Sequence, residues 1–140
     1  ENISNEVISK GYLKKAIQTY LDGFESDFRD AYPGINAVTL MDIAADERKD
    51  EILPVVTYAV KQKMKNGADY WDYATLLELA ILDNNQVKAE ELLPDVLVNV
   101  RESFEPKTTA NNLAIIVGRR SKKGNDVLWI EEIVNKLLSL

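Results

Sequence analysis

The 140-residue sequence contains no cysteine and no histidine, and these two absences exclude more chemistry than any motif in it includes. Cysteine nucleophiles, disulfides, histidine general bases, Ser-His triads and every Cys/His zinc site are impossible within this chain. Only carboxylate, lysine or tyrosine chemistry remains. Long apolar runs are also missing. None approaches the roughly 20 residues that a membrane span needs, so no segment is expected to cross a bilayer. At Glu1 there is neither an initiator Met nor a basic region followed by an apolar one, so no signal peptide is read and the chain looks like an excised piece of a longer protein. Positive charge is in the minority, 17 Lys and Arg against 23 Asp and Glu for a net charge of −6. That balance argues against a nucleic-acid partner, whose binding depends on neutralising phosphates with Lys and Arg. The dense basic run Arg119-Arg120-Ser121-Lys122-Lys123 reads as a solvated loop whose charges favour the end of the preceding helix.

What is present is apolar and periodic. A hydrophobic share of 46% and a charged share of 29% suit one globular domain over residues 1–140 with a real core, cytoplasmic and without a cofactor. The stretch Asp30 to Met41 organises it. Tyr32-Pro33-Gly34 reads as a hard turn that ends one helix and lets the next begin in a new direction. The following helix, about 35–45, is apolar nearly all round, so it should sit between other elements. Before it, Leu13, Ile17, Tyr20, Leu21, Phe24 and Phe28 recur at steps of three and four and predict a helix over about 6–28. After it, Asp46 or Asp50 is a candidate cap for a helix reaching Met64, which Asn66-Gly67 terminates. A fourth helix starts at Asp69 with Trp71 in the core, and a fifth carries Val87 to Val100. A sixth opens at Pro106, carries Ala110, Leu113, Ala114, Ile116 and Val117 inward, and ends near Gly118. A seventh, with Trp129, Ile130 and Ile133, caps the stack. No segment alternates long enough to compete as a strand.

Helices three and five repeat one another. Glu51-Ile52-Leu53-Pro54-Val55-Val56 lies over Glu91-Leu92-Leu93-Pro94-Asp95-Val96, and Val60 over Val100, at an offset of 40. Two helices per unit with a period near 40 predict an all-α, tetratricopeptide-like solenoid of about seven antiparallel helices. Helices two, four and six would form one wall and three and five the other. Pro54 and Pro94, unless in a first turn, should bend their helices at matched points.

Three ordered motifs then resemble a known family. Lys15-Ala16-Ile17-Gln18-Thr19-Tyr20-Leu21-Asp22-Gly23-Phe24, Tyr32-Pro33-Gly34-Ile35-Asn36-Ala37-Val38-Thr39-Leu40 and Asp69-Tyr70-Trp71-Asp72-Tyr73-Ala74-Thr75-Leu76-Leu77 look like the TRAF-binding domain of apoptosis-signal-regulating kinases. Thr108-Thr109-Ala110-Asn111-Asn112-Leu113 resembles the close of the bacterial, tetratricopeptide-like version. The resemblance spans roughly residues 12–118 and implies a regulatory scaffold module that binds protein, its kinase catalytic domain being absent here.

Candidate sites follow from polar groups on apolar helices. Asn36 is either a ligand-facing amide or, the preferred reading, a structural one, since an unpartnered buried amide costs about 1–3 kcal/mol. Asn36, Thr39, Asp72, Tyr73, Thr75 and Asn112 are expected to contact a protein or peptide segment, or another domain of the parent chain. Asp72 and Glu78 stand about 600° apart at ~100° per residue, so they do not form a catalytic carboxylate pair. No metal site is expected: Asp83-Asn84-Asn85-Gln86 lacks the spacing and the glycine of a calcium loop. The expected function is therefore non-catalytic, with a carboxylate-dependent hydrolase and a structural spacer as the rivals.

Overall fold

A computed structural model describes residues 3–140, with side chains from residue 5 onward; Glu1, where the absence of a signal peptide was read, lies outside them. Among the described residues there are seven α-helices and no strand: α1 (Ile3–Ser26), α2 (Ala31–Ala44), α3 (Lys49–Met64), α4 (Tyr70–Leu82), α5 (Gln86–Val98), α6 (Phe104–Lys122) and α7 (Leu128–Leu138). They form two compact units, one ending at Asn66 and one running from Gly67 to Leu140. No helix among the described residues is long and apolar enough to cross a membrane.

In the first unit α2 packs on both α1 and α3. The stripe of α1 is buried at Ile17 and Leu21, which meet Ala37 and Met41 of α2, with Leu13, Tyr20, Leu40 and Ile52 around them. Phe28, expected on that stripe, falls beyond the helix end. It stands edge-on to buried Phe24 at 5.1 Å and is 52% exposed.

The expected turn at Tyr32-Pro33-Gly34 is instead the first turn of α2. The Asp30 carboxylate accepts the Tyr32 N–H at 3.2 Å, and Pro33 occupies a position whose N–H would have no helical partner. Gly34 is buried for a different reason. A Cβ there would lie 2.7 Å from Cγ2 of Val56 and 2.9 Å from Cδ1 of Phe24, so its bare backbone is what lets the three helices converge. The apolar surface of α2 is not buried all round: Ala37, Val38 and Met41 are enclosed, whereas Ile43 and Ala44 face water. Its two neighbours leave the last turn open.

In the second unit α4 pairs with α5 and α6 with α7, and α4 also touches α6 while α5 touches α7. Asp69 begins α4 with a reciprocal capping box, its carboxylate taking the Asp72 N–H while the Asp72 carboxylate takes the Asp69 N–H. Two free donors are thus satisfied at once. The helix behind the box is almost wholly buried. Helix α6 overruns its expected stop at Gly118 and continues to Lys122, so the basic run lies in its last turn and not in a loop. Ala114 on α6 and Val87 on α5 are exposed, not inward. Helix α5 ends before Val100.

The repeat is clearest in the joints. Ala45 and Asn84 adopt left-handed backbone with φ of 54° and 55°, and Gly124 has φ of 80°. Each follows a helix end closed by a six-to-one hydrogen bond, from Asp46 to Met41, Asn85 to Ala80 and Asn125 to Arg120. That is the Schellman arrangement, recurring at intervals of 39 and 40 residues. Just beyond each, an acidic or amide side chain accepts a backbone N–H, Asp46 from Arg48, Asn85 from Lys88 and Asp126 from Leu128, although of the three only Asn85 is the cap residue of its helix. Three helical hairpins therefore share one joint, where the sequence pattern had paired only two. Neither acidic residue expected to cap α3 is its cap: Arg48 holds that position without a side-chain cap bond, Asp46 lies two residues before it, and Asp50 lies within the first turn. Pro54 and Pro94 both sit inside their helices and not in a first turn. Both are exposed, which leaves the carbonyls they deprive of a donor close to water.

Candidate partner-binding surfaces

The six predicted contact residues differ in what they leave available. On α2, Asn36 donates its amide to the Tyr32 carbonyl at 3.0 Å and Thr39 its hydroxyl to the Ile35 carbonyl at 2.9 Å. Both bonds lie within their own helix, and the Asn36 side chain is half-buried and not enclosed. Asp72 is 7% exposed and committed to the capping box. Tyr73 and Thr75 are half-buried on α4, and Asn112 is exposed on α6.

The aromatic pair at the start of α4 is reversed from expectation. Tyr70 is the core residue, its hydroxyl sharing a 2.7 Å hydrogen bond with Thr109 of α6, and burial raises its pKa above the ordinary tyrosine value. Trp71 is 37% exposed, edge-on to Tyr70 at 5.0 Å and 6.3 Å from the exposed ring of Phe104. Neighbouring positions on a helix point about 100° apart, so in a helix this apolar the periodicity does not decide which ring faces in.

The basic run is also redirected. Arg120 is 9% exposed, and its guanidinium donates to the Ile81 carbonyl at 2.8 Å and the Leu82 carbonyl at 3.0 Å. These are carbonyls of the last turn of α4, and beside the Asn84 N–H, which reaches that of Ile81 at 2.9 Å, Arg120 acts as a further cap delivered from α6. Glu105 is the counterpart at the start of α6. Desolvation acts to raise its pKa, but the N–H groups of Arg101 and Glu102 and the Arg101 guanidinium, at 2.7, 2.9 and 3.0 Å, outweigh it and hold the carboxyl below its usual range. Glu78 shows the reverse, its pKa raised by burial. Among the described residues no group of three or more acidic side chains is arranged to hold a metal ion.

The first unit carries a surface that the sequence reading missed. A hollow of about 440 Å³ opens between the segment after α1 and the outer face of α3, with Phe28, Val55, Tyr58 and Ala59 as its apolar part and Arg29 and Lys63 on its wall. Tyr58 is 64% exposed. The signal for it was present in Lys61-Gln62-Lys63-Met64-Lys65, a second basic run placed at the end of a helix.

A family model for the MAP3K TRAFs-binding domain matches residues 3–135. The chain belongs to that family. No curated protein and no solved structure matches it. The family match extends beyond the region of roughly 12–118 over which the motifs were recognised and takes in most of α7. Within this MAP3K TRAFs-binding domain, the motif Asp69-Tyr70-Trp71-Asp72 supplies in turn a cap, a core ring, an exposed ring and the second half of the cap. The motif around Gly34 supplies a close helix approach. In this chain both motifs therefore serve the fold.

Proposed function

We propose that the domain is a non-catalytic helical scaffold that binds a segment of another protein, or of its own parent chain. Membership of the MAP3K TRAFs-binding domain family carries the reading. It is supported by exposed aromatic rings on each unit, at Tyr58 and Trp71, since aromatic residues dominate the binding energy of protein interfaces. The side chains most available for contact among those chosen from the sequence are Tyr73, Thr75 and Asn112; Asn36, Thr39 and Asp72 act first on their own helices. The rival hydrolase would need a second group beside its carboxylate, and Asp72 is occupied as a cap.

Capture from native cells with the 140-residue chain as bait tests the proposal, compared with a Tyr73→Ala, Asn112→Ala variant of unchanged helical circular dichroism. A defined protein retained by the parent chain and lost by the variant is expected. Capture of nothing would favour the spacer. Turnover of ester or nucleotide substrates that disappears in Glu78→Gln would overturn the non-catalytic reading.

A further inference from the structure

We infer that one face of α4 docks an arginine-bearing peptide segment: the arginine pairs with Glu78 and Thr75, and an apolar residue near it packs on the rings of Trp71 and Phe104. The inference deepens the proposed function and rests on the domain being a protein-binding module, but it names the side of α4 turned away from Tyr73.

Three observations converge on it. The first is placement. Helix α4 leaves only Trp71, Tyr73, Thr75 and Glu78 incompletely buried. At ~100° per residue Trp71, Thr75 and Glu78 fall within about 60° of one another, whereas Tyr73 lies about 140–160° away from them. One stripe therefore holds all three, and at its N-terminal end the ring of Phe104 on α6 stands 6.3 Å from that of Trp71. The second is the want of a partner. The hydroxyls of Thr19, Thr39, Thr57 and Thr108 each donate to the carbonyl four residues back, and Thr109 shares its bond with Tyr70. The Thr75 hydroxyl has no hydrogen bond among the described residues, and the Glu78 carboxylate has neither a hydrogen bond nor an ion pair there. Burial is the whole cause of the raised Glu78 pKa, with no cation acting against it, whereas the enclosed Glu105 is offset by Arg101. An unpaired carboxylate drawn out of water costs stability, and a cation brought by a partner would recover it. The third is the chemistry that fits. Side chains three apart on a helix stand about 5–6 Å apart at Cβ, so one guanidinium can give two donors to Glu78 and a third to the Thr75 oxygen. A lysine ammonium lacks that fork. The net charge of −6 also draws a cationic segment and repels an acidic one. Trp71 stands about 10 Å along the axis from Glu78, seven residues at ~1.5 Å each, a span that an extended segment covers in about three residues. The apolar residue therefore stands three positions from the arginine.

Fluorescence anisotropy with labelled dodecapeptides tests the face. In one set a central Arg stands three residues from a Phe or Leu; in a second, neutral citrulline replaces the Arg; in a third, Glu replaces it; in a fourth, Gly replaces the apolar residue. Saturable binding by the first set is expected, weakened at least about tenfold by citrulline and by Glu78→Gln, and severalfold by Thr75→Val, by Trp71→Ala and by loss of the apolar residue. Glu78→Gln is decisive because it removes an unpaired buried charge and should raise the unfolding midpoint at pH 7, so binding lost in a stabler protein is not lost to misfolding. Glu132→Gln removes an exposed carboxylate from the same unit and should bind like the parent. Each variant is compared at equal helical circular dichroism. Equal binding of the citrulline or Glu peptides, indifference to Glu78→Gln, or a self-association in sedimentation that Trp71→Ala abolishes would each overturn the inference. If the peptides fail while cellular capture still depends on Tyr73 and Asn112, this face falls and the proposed function stands. If capture fails as well, both fall.

Discussion

Replacing Gly34 by alanine separates two effects that ordinarily travel together. In a helix, Gly→Ala stabilises by about 0.5–1 kcal/mol, because alanine has less backbone freedom to lose. Gly34 opposes that gain with a steric one, since its Cβ would stand 2.7 Å from Cγ2 of Val56 and 2.9 and 3.1 Å from Cδ1 and Cε1 of Phe24. Neither neighbour has room to yield. Val56 and Phe24 are both wholly buried, and overpacking a closed core costs about 1–3 kcal/mol. The net expectation is destabilisation by roughly 1–2 kcal/mol. Gly11 in α1 and Gly118 in α6 have nothing within 4 Å of an added Cβ, so the same substitution there should stabilise by about 0.5–1 kcal/mol. Urea unfolding followed by helical circular dichroism reads all three, as shifts in midpoint at constant slope. A Gly34→Ala, Val56→Ala double variant should be more stable than the two single losses predict, by more than about 0.5 kcal/mol. If Gly34→Ala raises the midpoint as Gly11→Ala does, the three helices do not meet at that backbone and the account of the first unit is wrong.

Arg120→Met should cost about 2–4 kcal/mol, because it leaves the Ile81 and Leu82 carbonyls without their charged donor, whereas Lys123→Ala should change thermal stability by less than about 0.5 kcal/mol. Tyr70→Phe should lose about 1 kcal/mol in denaturant unfolding by breaking the bond to Thr109. Glu105 has a folded pKa below the unfolded value of about 4.3. Its contribution is therefore present above that value and lost as pH falls through the folded pKa, and Glu105→Gln should flatten the acid side of a stability-against-pH curve. Glu78 is raised, so its folded form holds its proton more tightly and stability declines as pH rises from about 4 through the folded pKa. Glu78→Gln should be more stable than the parent at pH 7 and equal to it below pH ~4, as midpoints across that range will report.

Sequence alone determined what is local or repeated. Three- and four-residue spacing announces α1, Asp69 announces the start of α4, and Asn66-Gly67 marks the break between α3 and α4; each rests on backbone chemistry confined to a few neighbouring residues. The repetition of Leu53-Pro54 in Leu93-Pro94 survived because successive hairpins solve the same packing problem. Tertiary structure decided which side of each helix is covered. On α4, apolar nearly all round, no periodicity separates Tyr70 from Trp71, and the choice falls to the Thr109 hydroxyl on α6. Gly34 carries the mark of a turn but serves as a contact, since the obstacles to a Cβ are Phe24, ten residues before it, and Val56, twenty-two after. Arg120 belongs to a basic run in sequence and to the end of α4 in space. Lys63 and Tyr58 become a surface only once Phe28 is placed beside them. Helix formation is governed by neighbours a turn away, whereas burial depends on which distant helix arrives, and a single sequence carries little of that second kind of information.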